Sequence, residues 1–386
     1  MTTQIDEKVI HNEGDLGALR DAARREGYDK IADGSWFQRT VTAYIKKHAT
    51  LVNAAYWDAR YPGLDAEARA DREIAKVMRR AAAAGAMASL GASTGELLSL
   101  VTDGLAAPVG VPAAVLSMVT DAAYTARLQI DLACDLASIF GAPFDPQDFG
   151  EMATLFGLAF EIDIKKKKEE DESKEEHAAK EGVTAKLLEL EDGEFAKRIG
   201  RKLLEESVLR NIVPVAGIGI SARWNYVATR RFGAAAKKYA RYRRALRHAC
   251  AKLALAKVAD PALLLEGAWL LATIDGEAGH EELLALALIL EALPITSADL
   301  RLGNQWDDEE AWFERLKSAP RELHDPLLDV LFLVAATDRE IAPAERRFLR
   351  RLGKAIGREV DNERLGRFCK HLSEGEELPE GFLHCA

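Results

Sequence analysis

Aromatic residues are scarce in this chain, at 7% of 386 positions, and Ala and Leu dominate the apolar share. That bias favours helices, where Ala and Leu lose little conformational freedom and β-branched residues lose more. Cysteine is also sparse. Cys134, Cys250, Cys369 and Cys385 show no disulfide-framework spacing, and the opening MTTQIDEKVIHNEGD lacks a basic-then-apolar export pattern. Both features lead us to expect a reducing, cytoplasmic setting. No uninterrupted apolar run reaches the roughly 18 residues of a membrane-spanning helix. The nearest approach, residues 104–119 (GLAAPVGVPAAVLSMV), contains Pro108 and Pro112. Catalytic signatures are missing too. There is no Cys–His nucleophile pair, no Gly-rich phosphate loop with its Lys and no zinc-protease helix. Ala216-Gly217-Ile218-Gly219 has no strand–helix dinucleotide unit around it. The expectation is a protein that is not an enzyme.

What is present is a globular composition, 48% hydrophobic and 30% charged with a formal charge of −10. The length suggests about two or three domains, and the expected fold class is all-α. Residues 1–35 read as a lead-in, 36–252 as a helical module, 255–370 as a smaller helical module and 371–386 as a tail. In the larger module, Val41, Ile45, Leu51 and Trp57 supply helical apolar positions before a turn at Tyr61-Pro62-Gly63. The next helix should start near Asp65 and run through Ile74, Val77 and Met78 into an Ala-rich end. Small residues recur over 84–112, where they permit close backbone approach. A long helix over 113–140 carries the polar stripe Thr120, Tyr124, Arg127, Asp131 and Asp135, and should stop at Gly141-Ala142-Pro143. Residues 165–181 hold six lysines and seven acids with no large apolar residue. They read as an exposed insertion or a solvated helix. A second Gly-interrupted apolar segment, 212–220 (IVPVAGIGI), precedes a basic helix over 232–256.

An internal repeat marks the smaller module. LLATIDGEAGHEELLALALIL and FLVAATDREIAPAERRFLRRL are each an apolar helix, an acidic loop and a second helix. Asp275 matches Asp338, Glu277 matches Glu340 and Glu282 matches Glu345, with the copies 63 residues apart. The acids have two readings. In one, Gly279 and Ala342 are N-caps, Glu282 and Glu345 occupy N3, and Pro343 is at N1. In the other, Asp275, Glu277, Glu282, Asp338, Glu340 and Glu345 supply hard oxygen ligands to a divalent cation such as Ca²⁺ or Mg²⁺. The repeat resembles the TerB-like family of small helical modules from tellurite-resistance and other stress systems. Asp275-Gly276-Glu277 matches its hallmark, and Arg339 departs from it where Gly is usual.

The larger module resembles the EcsC family. The resemblance rests on GASTGELLSLVTDGLAAPVGVP, Asp121 through Arg127-Leu128-Gln129-Ile130, FGAPFDPQD, and the later stretch containing Gly217, Gly219, Asn225 and Thr229. The family implies no enzymatic activity. Between Arg230 and Lys252 the chain carries nine Lys and Arg residues and no acid. Lys237, Lys238, Arg241, Arg244 and Arg247 are the candidate contacts to anionic lipid, with Tyr239, Tyr242 and Leu246 on another face. The open alternative is pairing with acidic neighbours. Nucleic acid is the weaker reading, because apolar Gly-rich segments lie nearby. In the tail, Cys369, His371, His384 and Cys385 are weak zinc candidates, since adjacent His384 and Cys385 suit one ion poorly. The expectation is a non-enzymatic, peripheral membrane or lipid-binding protein at the inner face of the membrane. Its C-terminal module would sense an ion or bind a protein partner. The alternative is a stress-response metalloprotein or enzyme using the acidic loops.

Overall fold

The computed structural model describes residues 48, 51–93, 113–144, 155, 217–254, 258, 260–274, 280–293, 308–337, 341–379 and 383. Among them every regular element is helical, and the fold is all-α. The helices are α1 (Ala54–Arg60), α2 (Ala66–Ser93), α3 (Ala113–Ile139), α4 (Gly217–Ala254), α5 (Pro261–Ala272), α6 (His280–Ala292), α7 (Glu309–Ser318), α8 (His324–Ala335), α9 (Pro343–Ile356) and α10 (Asn362–Glu374). A 3-10 turn, Arg321–Leu323, leads into α8. No helix among the described residues is long and apolar enough to cross a membrane. The chain divides into two compact units, 1–237 and 238–386, and the division falls inside α4.

In the first unit, local signals set the helix ends. The Asn53 side chain accepts the Tyr56 N–H at 3.0 Å and starts α1. Asp65 accepts the Ala68 N–H at 2.7 Å and starts α2, at the expected position. α3 stops where Gly141 turns to φ 71° and the Ala142 N–H reaches the Ala137 carbonyl at 2.9 Å. α2 and α3 pack along each other through small and branched positions such as Ala70, Val77, Ala81, Ala126, Ile130 and Ala133. α4 runs antiparallel to α2: Asn225 donates to the Ala81 carbonyl at 3.3 Å, and Lys237 meets Asp71 further along. One expectation is corrected here. Gly217-Ile218-Gly219 is no interruption before the basic helix but the first turn of α4 itself. A glycine costs a helix only about 1 kcal/mol, which the packing of a long helix offsets.

The second unit contains a duplication. Pro261 to His324, Ala272 to Ala335, and His280 to Pro343 are each displaced by 63 residues, so the expected pair of helix–loop–helix units has matching bounds. α5 and α8 are the apolar centre, packed on each other, while α6, α7, α9 and α10 cover them. The equivalence also holds at two buried acids inside the repeat, which spans 263–290 and 326–352. Glu266 on α5 and Asp329 on α8 are equivalent positions, both buried, and each pairs with an arginine of the second helix that follows. Glu266 pairs with Arg315 of α7, and Asp329 with Arg364 of α10 at 2.5 Å. Arg364 also lies 5.5 Å from the ring centres of both Phe332 and Phe368. Breaking a buried pair strands the other charge. Asp329→Asn should therefore cost about 3–5 kcal/mol in urea unfolding. Glu266→Gln should cost less, since its partner Arg315 is 43% exposed.

Candidate functional site

Two groups of polar side chains stand out in the first unit, one inside and one outside. The inner group gathers around the polar stripe of α3. Arg127, Asp131 and Asp135 are all buried. His48 Nε2 lies 2.8 Å from Asp135 Oδ1. Glu73 of α2 accepts from Arg60 at 2.9 Å and from the Tyr61 hydroxyl at 2.5 Å. Burial and the neighbouring Glu73 push the Tyr61 phenol up, with Arg60 opposing. These contacts tie the end of α1 to α2 and His48 to α3.

The outer group lies on the N-terminal half of α4. Trp224 is 53% exposed, Tyr226 41% and Val227 39%, the only large apolar residues exposed among the described ones. Arg223, Arg230 and Arg231 are exposed around them and make no ion pair among the described residues. At about 100° per residue, all six fall on one side of the helix. The opposite side, Asn225, Thr229, Phe232, Gly233 and Ala236, is buried.

The cations anticipated further along α4 sit differently. Lys237 contacts Glu67 at 2.8 Å and Asp71 at 2.6 Å. Partial burial pulls its ammonium down, but the two carboxylates outweigh this and hold it above its ordinary value. Arg244 pairs with Glu377 at 2.6 Å, and His248 approaches the same carboxylate at 3.4 Å. Lys238 is exposed, while Arg241 and Arg247 are half-buried. Tyr239, Tyr242 and Leu246 are buried. Pairing with acids, the alternative left open by the sequence, thus holds at Lys237 and Arg244. No family model matches this chain, and neither a curated protein nor a solved structure does.

Of the positions carrying the EcsC resemblance, Asp121 lies in α3, Arg127 and Asn225 are buried, and Gly217 and Gly219 open α4. The acidic-loop residues Asp275, Glu277, Asp338 and Glu340 lie outside the described residues. Glu282 and Glu345 are buried. Glu345 accepts the Ala342 N–H at 2.6 Å, with Pro343 at the first helical position. This is half of a capping box, since alanine offers no side-chain oxygen in return. No group of three or more His, Cys, Asp or Glu side chains is placed to hold a metal among the described residues. Cys369 is half-buried, its thiol pushed up by burial, and His371 meets Glu376 at 3.0 Å. His384 and Cys385 lie outside the described residues.

The outer group escaped the sequence reading because Trp and Tyr in an amphipathic helix ordinarily mark the inward face. A usable signal was there. Asn225, Thr229, Phe232 and Ala236 follow the i, i+4, i+7, i+11 spacing of one stripe, which leaves Trp224, Val227 and Arg231 outside.

The inner group yields a pH dependence. Burial raises Asp135 above its ordinary value of 3.8; His48 opposes, and Glu73 and Asp131 add to the rise. The folded protein then holds this proton more tightly than the unfolded chain. Its contribution favours folding at low pH and is lost as pH rises through the raised folded value. In urea unfolding between about pH 3.5 and about pH 6, wild type should lose stability relative to Asp135→Asn as pH rises. A difference that does not move with pH would show that Asp135 titrates alike in both states.

Proposed function

We propose that this chain is a non-enzymatic peripheral membrane protein that meets anionic lipid through the exposed side of α4. In this reading residues 36–252 are an EcsC-like module and residues 255–370 a TerB-like one, the latter serving as an ion-sensing or partner-binding part. The observation that carries it is Trp224, Tyr226 and Val227 exposed among three arginines that make no ion pair among the described residues. Trp and Tyr have apolar bodies and polar tips, which suit the boundary between headgroups and acyl chains. Each arginine near an anionic surface adds about 1 kcal/mol, and reversible association takes both an apolar and an electrostatic signal. Lys237 and Arg244 contribute less, because carboxylates already neutralise them. The working cations are Arg223, Arg230 and Arg231, with Lys238 further along. A protein of this kind acts at the inner face of the membrane from the cytoplasm.

Co-sedimentation with vesicles tests this. The full chain should be retained by anionic vesicles at low salt, released as salt rises, and ignored by neutral vesicles. Reversing Arg223, Arg230 and Arg231 to Glu should weaken retention by about 100-fold or more, given about 1 kcal/mol per charge. Trp224→Ala should weaken it at every salt concentration, and circular dichroism should be unchanged because all four side chains are exposed. Retention that survives the triple reversal would sink the proposal.

The ion-sensing reading of the C-terminal module has its own measurement. Ca²⁺ or Mg²⁺ at about 100 times its Kd should stabilise the protein by about 2.7 kcal/mol, raising Tm, and Asp275→Asn should remove the shift. A Tm unmoved by millimolar cation would leave Glu282 and Glu345 with helix-start roles and the module with partner binding.

A further inference from the structure

We propose that α9 carries a recognition surface separate from α4, a row of cations that takes the phosphate backbone of a nucleic acid. Arg346, Arg347, Arg350 and Lys354 are all exposed. They occupy an arc of about 100° on the helix, with Arg346, Arg350 and Lys354 each about 6 Å further along the axis. None of the four has a carboxylate partner among the described residues. Arg346 and Arg350 turn only their Nε atoms to backbone carbonyls, those of Ile341 at 3.3 Å and Arg346 at 3.1 Å. Their terminal guanidinium nitrogens meet no partner among the described residues.

A shortage of acid does not explain this. In the same unit Arg244, Arg315, Arg351, Arg358 and Arg364 are all paired with carboxylates. Arg351, on α9 itself, bridges Glu309 and Glu310 and lies 4.1 Å from the Phe313 ring centre. Glu322, Glu363 and Glu374 meanwhile remain exposed. The unit pairs its arginines wherever α9 faces another helix and leaves a continuous row of four where it faces outward.

The chemistry of the row selects its occupant. No large apolar residue of this unit is exposed among the described ones. The row therefore lacks the apolar wedge that holds a helix at a lipid surface and the anchors that a protein interface needs. That is the reverse of α4, where apolar neighbours set lipid ahead of nucleic acid. Cations repeating at one helical turn match the regular phosphates of a strand, and guanidinium groups grip phosphate oxygens in pairs. With a net charge of −10, the protein contributes no long-range attraction. Contact forms only within a Debye length of about 8 Å and carries no sequence preference.

Fluorescence anisotropy of the full chain with a labelled DNA duplex of about 20 base pairs tests the assignment. Four phosphate contacts predict binding at about 50 mM salt that falls about 150-fold by about 200 mM. Reversing Arg346, Arg350 and Lys354 to Glu should abolish it and leave circular dichroism unchanged. Reversing Arg223, Arg230 and Arg231 should leave it intact. The proposal is overturned if the wild type does not bind the duplex at low salt, or if the α9 variant binds it as well as the wild type. Loss on changing α4 instead has the same consequence. It also falls if the chain with Arg223, Arg230 and Arg231 reversed still retains a polyglutamate peptide or anionic vesicles but not the duplex. None of these outcomes depends on whether the α4 proposal holds.

Discussion

Glu73, Asp135, Glu266 and Asp329 lie out of water, and each is held by a basic side chain from a different segment of the chain: Arg60, His48, Arg315 and Arg364. Removing a carboxylate from water costs several kcal/mol, which only a well-placed partner offsets. The pairs thereby dictate which helices touch. Arg60 and Tyr61 anchor the end of α1 on α2 through Glu73. Arg315 and Arg364 fasten α7 onto α5 and α10 onto α8. Apolar contact alone is indifferent to small rotations of an Ala- and Leu-rich helix. A buried carboxylate accepts only the rotation that brings its partner.

The same constraint sorts the cations on the outside. Wherever a basic helix faces a neighbour, its charges are taken up, as at Lys237 by Glu67 and Asp71 and at Arg351 by Glu309 and Glu310. Arg223, Arg230 and Arg231 on α4, and Arg346, Arg347, Arg350 and Lys354 on α9, are two sets with no carboxylate partner among the described residues. The two sets differ in their surroundings. On α4 the cations frame Trp224, Tyr226 and Val227, and on α9 they stand without apolar company. That difference separates the ligand chemistries we propose for them.

Much of this was legible in the residues. Asp65 and the Gly141-Ala142-Pro143 stop marked helix ends because capping is local chemistry. The repeat was legible because Asp275, Glu282, Asp338 and Glu345 recur at one displacement. The partners of Lys237 and Arg244 were not, since Asp71, Glu67 and Glu377 lie more than a hundred residues away along the chain. The exposed aromatic face of α4 was obscured for a related reason. Asn225 and Thr229 are polar residues that the fold turns inward, and Asn225 is accepted there by donating to the Ala81 carbonyl.

By itself the sequence determined the helical class, helix ends such as those at Asp65 and Gly141, and the displacement of the repeat, all of which follow from propensity, caps and breakers acting over a few residues. Only the tertiary structure decided which charges are spent inside the protein and which remain outside. Pairing depends on the distance between helices rather than on spacing within one. A lysine beside a glutamate and an aspartate of another helix and an arginine facing water are written with the same basic pattern in the chain.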